Sequence, residues 1–278
     1  MPPRKRFRPE ELAVVFAVAE TSAVAHILTV CAATAQSVVL DYHKRTGLTI
    51  LAFHPAGSQC FRAHLPPDLL ADANQLGTAT SLHLSAANVK LVAETVGKMD
   101  RAVFRQYTTS PQLFVSDAAA GAVPLPGTIT VDSTVCVDQL EPMDGALTPL
   151  ARDAFPSVFD VVLPLPTTAW VQILNDAVAK NAAYVEMALS GTSLVCLWCM
   201  DEECGRDMQT TTVTLPTAIT GTCTGVRFSV PLLRETLHVR PISATCTVYL
   251  SQQHGCLCVS ADSPAGLSMD VFVPASIL

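Results

Sequence analysis

Gly221-Thr-Cys-Thr-Gly225 has the spacing of a nucleophile elbow with Cys223 as the attacking thiol. An elbow needs a strand before the nucleophile, a helix directly after it, and His and Asp partners brought alongside. Here Thr222 to Val230 reads as one continuous strand and the next helix comes too late. The parallel strand-helix-strand order of a hydrolase is also missing. No Walker loop, G-x-G-x-x-G or H-E-x-x-H is present, so nucleotide hydrolysis and zinc proteolysis lack the groups they need. The expectation is a protein that is not an enzyme and holds no cofactor.

Metal or redox chemistry has one further candidate. Cys196-Leu-Trp-Cys199 is formally a C-x-x-C, with Cys204 nearby. On an extended strand an offset of three puts the two sulfurs on opposite faces, and the apolar context does not favour the turn that zinc would require. Cys256 and Cys258 form a single C-x-C, and no second C-x-x-C or His pair completes four ligands. Most of the ten cysteines lie inside apolar runs and read as reduced, buried small hydrophobes.

The whole chain then narrows the classes. Its 278 residues are 50% hydrophobic and only 15% charged, enough to bury a large core. Seventeen basic against 24 acidic residues give a net charge of −7, which argues against wrapping a polyanion with the entire surface. Aromatics are 6%, too few for a platform that stacks bases. Mean hydropathy is +0.38, and the stretch Thr21 to Leu40 carries no charge. Thr21, Ser22, His26, Thr29, Thr34, Gln36 and Ser37 interrupt it, and its C-terminal part reads as a separate strand, so a membrane span is not expected. Arg4, Lys5, Arg6 and Arg8 are followed by Glu10 and Glu11 instead of an apolar run, so no secretory signal is read and an intracellular protein is expected.

The elements that must position any surface chemistry repeat in pattern, not in letters. The first copy is a strand at Leu12 to Ala19, a helix at Ser22 to Gln36 burying Val24, Ile27, Leu28 and Cys31, and strands at Ser37 to His43, Leu48 to His54 and Ser58 to Leu65. Lys-Arg-Thr-Gly and Pro-Ala-Gly turns separate the strands. The second copy has a strand at Thr80 to Leu84 and a helix at Ser85 to Lys98, with Ser85 as N-cap and Val89, Val92, Val96 and Met99 as the buried stripe. Its strands are Arg101 to Tyr107, Gln112 to Asp117 and Thr128 to Ser133.

In the third copy a strand at Phe159 to Leu163 leads to a helix at Thr167 to Lys180 burying Trp170, Ile173, Leu174 and Ala177. Strands Ala182 to Ser190, Thr192 to Met200 and Asp207 to Leu215 follow. The fourth has Thr222 to Val230, a short helix at Pro231 to Val239, and strands Ala244 to Ser251, Cys256 to Asp262 and Leu267 to Val273. Between the pairs of copies, residues 134–158 hold Pro142, Gly145, Pro149 and Pro156, and Asp138, Glu141, Asp144 and Asp153 outnumber Arg152. That is the composition of an exposed connector. An α+β protein follows, with domains at 1–133 and 159–278 joined by a 134–158 connector, helices on one face of antiparallel sheets, and edge strands that invite pairing with another chain.

Two domains, each of two strand-helix-three-strand units joined by a long acidic connector, resemble the DNA sliding clamps of the proliferating cell nuclear antigen type. Ser81-Leu-His-Leu-Ser-Ala-Ala-Asn-Val-Lys-Leu-Val leading into the second helix, and Met269-Asp-Val-Phe-Val-Pro-Ala-Ser at the end, resemble the Hus-one type of subunit in the nine-one-one checkpoint clamp. The resemblance covers nearly the whole chain, although the basic extension Met1 to Arg8 and the loop at Asp201 to Gly205 depart from it. It implies a nuclear, non-catalytic subunit of a heterotrimer. Such a ring is loaded around double-stranded DNA by a clamp loader and signals DNA damage and replication stress to checkpoint and repair proteins. A homotrimeric replication clamp serving polymerase processivity is the alternative.

A clamp needs cations on its helices. A helix of about 13 residues is roughly 20 Å long and, lying across the grooves, contacts phosphates without reading bases. On the second helix Lys90, Glu94 and Lys98, then Arg101, share the stripe opposite the apolar one; Arg234 and His238 do so on the fourth, with Arg240 just beyond. The third helix offers only Lys180, offset by Asp176, and the first only His26. Each of these is equally explained as a solvated polar face. The basic residues Arg4, Lys5, Arg6 and Arg8 fit a nuclear-targeting arm, a DNA-contacting arm or a frayed terminus. In clamps the connector borders a pocket for partner peptides; here Leu140, Met143, Leu147 and Leu150 either line it or pin the connector to the sheet.

Overall fold

The computed structural model describes residues 12–54, 60–71, 79–107, 112–117, 134–140, 159–200, 209–215 and 221–276. They fall into two compact units, one within Met1–Phe53, Ala63–Pro142 and Ala265–Leu267, the other within His54–Arg62, Met143–Pro264 and Ser268–Leu278. In chain order the first half contains β1 (Leu12–Val18), α1 (Thr21–Thr34), β2 (Ser37–His43), β3 (Gly47–Phe53), β4 (Cys60–Leu65), β5 (Leu70–Ala71), β6 (Ala79–Ser85), α2 (Ala86–Val96), β7 (Ala102–Tyr107), β8 (Gln112–Asp117) and β9 (Thr134–Asp138). The second contains β10 (Val161–Pro166), α3 (Thr167–Ala179), β11 (Tyr184–Ser190), β12 (Ser193–Cys199), β13 (Gln209–Thr214), β14 (Cys223–Ser229), α4 (Val230–Arg234), β15 (Thr245–Ser251), β16 (Cys256–Asp262) and β17 (Ser268–Pro274).

The first strand of each copy leaves its own copy. β1 pairs antiparallel with β7, within the order β5-β1-β7-β8-β9, while β6 pairs with β2 in the run β4-β3-β2-β6. In the second unit β10 likewise pairs with β15 in β10-β15-β16-β17, and β14 with β11 in β13-β12-β11-β14. The repeat visible in sequence is therefore not the unit that folds. Two copies interlock by exchanging their first strands, and neither completes its sheet alone.

The helices bury the stripes that their spacing predicts. Val24, Ile27, Leu28 and Cys31 on α1, Val89, Val92 and Val96 on α2, and Trp170, Ile173, Leu174 and Ala177 on α3 are all buried. Ser85 is the N-cap of α2, its Oγ accepting from the Asn88 N–H at 3.3 Å. At the β2–β3 hairpin Gly47 has φ +96°, and a Cβ there would lie 2.0 Å from the Leu65 carbonyl oxygen, so this turn requires glycine.

Several expectations need correction. Thr134–Asp138, read as the start of the connector, is strand β9, hydrogen-bonded to β8 with Gln112 opposite Asp138. The strand expected at Thr128 to Ser133 lies outside the described residues. The fourth helix is α-helical only over Val230–Arg234 and continues as a 3₁₀ turn at Glu235–Val239. Buried Thr236 donates to the Leu233 carbonyl at 2.5 Å and accepts from Trp170 Nε1 at 2.7 Å, a side-chain capture that tightens the last turn. Cys199 is disulfide-bonded, not reduced. α1 ends at Thr34 and β2 begins at Ser37, which divides the uncharged stretch Thr21 to Leu40. Among the described residues no helix is long and apolar enough to cross a membrane.

Candidate nucleic-acid interface

The cations divide between helices. Lys90 and Lys98 are exposed on and just beyond α2, with Glu94 one turn from each, so this face carries a small net positive charge. α2 is held by its cap and by Asn88 Nδ2, which donates to the Asp138 carbonyl at 2.8 Å and ties the helix to β9. Arg101 follows α2 half-buried, its Nε enclosed without a hydrogen-bond partner among the described residues. On the fourth helix Arg234 is exposed, as is Arg240 after the 3₁₀ turn. His238 lies 3.1 Å from Glu235 Oε2 and edge-on to Phe61 at 6.4 Å.

The other two helices present neutral faces. The exposed positions of α1 include Ser22, Thr29 and Ala33, with His26 half-buried; Thr29 Oγ1 donates to the Ala25 carbonyl at 2.8 Å. On α3 the exposed side chains are Thr168, Gln172, Asn175, Val178 and Ala179. Lys180 is occupied elsewhere. Its Nζ lies 2.5 Å from Asp176 Oδ2 and 2.5 Å from Thr211 Oγ1, and 5.8 Å from the centroid of the Trp198 ring. Thr211 Oγ1 donates to Asp176 Oδ2 at 2.6 Å and accepts from Trp198 Nε1 at 2.9 Å. The hydrogen bonds from Lys180 and then Thr211 hold the Asp176 carboxyl below its ordinary value.

Sheet margins complete the surface. The margin strands are β5 and β9, β6 and β10, β13 and β14. β5 has two residues, β10 carries exposed Pro164 and Pro166, the β6 carbonyl at His83 accepts from the Leu140 N–H at 2.8 Å, and the β14 carbonyl at Arg227 accepts from the Ser276 N–H at 2.8 Å. These are the devices that keep edges from pairing. β9 (Thr-Val-Cys-Val-Asp) and β13 (Gln-Thr-Thr-Thr-Val-Thr) have no proline, lysine or bulge. Among the described residues these two edges, one in each unit, carry the fewest such devices; on β9 only the Asp138 carbonyl is occupied, by Asn88 Nδ2. The sequence reading expects edge strands open to another chain without saying which; the Thr-rich, lysine-free run at 209–214 is the visible signal for β13.

Of the connector residues, Leu140 is 42% exposed beside β6; Met143, Leu147 and Leu150 lie outside the described residues, as do Arg4, Lys5, Arg6 and Arg8. Cys223 is buried at the start of β14, and burial, then the charge of Asp160, push its thiol up to about 11, the opposite of an activated nucleophile. Its flanking glycines have structural duties. A Cβ on Gly221 (φ +92°) would lie 1.8 Å from the Asp160 carbonyl oxygen, and Gly225 (φ +74°) sits where the β11–β14 register shifts.

No protein-family model and no curated protein matches the sequence. Among solved structures the chain is similar to proliferating cell nuclear antigen from Entamoeba histolytica, at 8% identity and a TM-score of 0.73, covering 96% of this chain and 100% of that one. It is also similar to a chain of the PCNA2-PCNA3 complex from Sulfolobus tokodaii, at 12% identity and a TM-score of 0.70, covering 94% and 98%. The fold is the DNA clamp fold: antiparallel sheets with interlocked repeats and helices packed against them.

Proposed function

We propose that this chain is one subunit of a ring-forming DNA sliding clamp, a scaffold with no reaction of its own. We further infer that its ring contains two other clamp-like chains and serves the checkpoint for DNA damage and replication stress. The observation that carries the clamp reading is the combination of a clamp fold over nearly the full chain with, among the described residues, one largely open strand edge in each unit. A different patch at each end of an interface is the head-to-tail type of contact, which makes rings when the rotation closes. Pairing β9 of one chain with β13 of the next would satisfy the backbone groups that both strands leave open.

DNA contact in this reading falls to Lys90, Lys98, Arg234 and Arg240, with Arg101 and His238 half-buried behind them. Each phosphate neutralised releases about 0.9 counterions, so a handful of contacts gives a modest, salt-sensitive and sequence-neutral attraction. A closed ring needs no more, because encirclement holds it while weak contacts let it slide. The basic residues at positions 4–8 and a nuclear location, a clamp loader, and peptides docking near Leu140 belong to the same proposal.

The checkpoint assignment draws on the motifs at Ser81 to Val92 and Met269 to Ser276. The mass of the purified chain in solution tests it. A monomer that assembles only with two different clamp-like proteins supports it, and a stable self-trimer overturns it. The self-trimer would be a homotrimeric replication clamp and polymerase processivity factor. One observation favours that second reading: neither β9 nor β13 carries a side chain that would repel another copy of this chain.

A further inference from the structure

We infer that Lys180 is a positioning residue for the assembly edge β13 and not a DNA contact. The inference rests on the ring reading above and assigns within it a role to a cluster that the DNA-contact reading leaves unused. Four side chains from three elements converge: Asp176 and Lys180 at the end of α3, Trp198 on β12 and Thr211 in the middle of β13. Each of their polar hydrogen-bonding groups is engaged with another of the four. Lys180 Nζ donates to Asp176 and Thr211, Thr211 donates to Asp176 and accepts from Trp198, and the ammonium lies over the Trp198 ring.

Geometry makes this cluster a clasp on the edge. Among the described residues β13 is bonded on one side only, to β12 from Ser193↔Thr214 to Trp198↔Gln209. Its six side chains are four threonines, one glutamine and one valine, none fully buried, so hydrophobic burial does little to fix it. A strand held on one side with little burial frays and slips in register. Thr211 is its inward polar anchor, and the clasp fastens that anchor to the end of a helix whose apolar face is in the core. The lysine is thereby only 22% exposed, with its charge answered by Asp176, a poor donor to phosphate. What the clasp leaves outward is a straight, fixed row of backbone donors and acceptors on β13, flanked by exposed Thr210, Thr212 and Thr214. The partner that fits is the open edge strand of another clamp-fold chain, the chemistry that β9 offers.

Three readouts on the full chain test the inference. Backbone amide exchange at 209–214 is compared between wild type, Lys180→Met, Thr211→Val and Lys180→Arg, with β16 as internal reference. Tenfold or faster exchange confined to β13 in the first two variants, restored in Lys180→Arg and with β16 unchanged, is expected; unchanged exchange at 209–214 overturns the clasp. In cells, a photo-crosslinker at Thr212 is expected to capture a clamp-fold chain, identified by mass spectrometry, with at least fivefold lower yield in Lys180→Met. If wild type captures no clamp-fold chain, the ring reading falls, and amide exchange alone decides whether Lys180 orders the strand. If wild type captures one and Lys180→Met captures it equally, the positioning role is overturned while the ring reading stands. Salt dependence of DNA binding is expected to be the same in Lys180→Met as in wild type; a shallower slope would return Lys180 to the DNA face.

Discussion

Phe16 on β1 and Phe104 on β7 stand opposite each other in the antiparallel register and stack with centroids 4.8 Å apart and planes 9° from parallel. Tyr42 on β2 stacks on the other side of Phe16 at 5.0 Å. The three rings join the first strand of one repeat to strands of both, so the exchange of first strands is held by its largest buried side chains.

Within that stack the Tyr42 hydroxyl is fully buried with no hydrogen-bond partner among the described residues. Such an unsatisfied group costs about 1–3 kcal/mol, whereas truncating a buried Phe costs about 3–5 kcal/mol. Tyr42→Phe is therefore expected to raise the urea midpoint of unfolding, and Phe16→Ala to lower it sharply. A lower midpoint for Tyr42→Phe would show that the hydroxyl is satisfied in solution.

Lys90 and Lys98 are exposed, so their loss leaves folding unaffected. If both contact phosphates, Lys90→Ala with Lys98→Ala reduces the slope of log affinity against log salt by about 2, uniformly across DNA sequences. An unchanged slope removes α2 from the DNA face.

The clasp predicts a pH dependence with a definite sign. The Asp176 carboxyl is held low by its bonds to Lys180 and Thr211, so its contribution is present above the ordinary aspartate range. It is lost as pH falls through the lowered value. Wild type and Asp176→Asn should therefore differ in urea midpoint at neutral pH and converge in acid. A difference that persists unchanged into strong acid contradicts the charged clasp.

Thiol chemistry separates a scaffold from a hydrolase. Cys136 on β9 is exposed, whereas Cys223 is buried with its thiol pushed up to about 11. Alkylation of the folded protein at pH 8, mapped by mass spectrometry, is expected to label Cys136 well before Cys223. Fast labelling of Cys223 by a thiol-reactive ester would revive the enzyme reading.

Much of this was legible in the sequence because it is local. The cap at Ser85 and the apolar stripes of three helices follow from spacing alone, and strands β2, β8 and β16 fall at the residues expected. What was not legible depends on partners distant in the chain. Residues 128–132 alternate polar and apolar as strongly as anything in 134–138, and only pairing with β8 places β9 at Thr134–Asp138. Lys180 stands four residues after Asp176, which looks like a solvated helix pair. Nothing nearby announces that Thr211, from a strand 31 residues on, closes over it.

Retention on DNA of different topology tests the central claim most directly. The assembly that contains this chain, purified from cells and loaded onto nicked circular DNA, should resist a salt wash that strips it from linear fragments, and cutting the circle should release it. Equal retention on circular and linear DNA would mean that the chain holds DNA by surface affinity, and the account of a ring would be wrong.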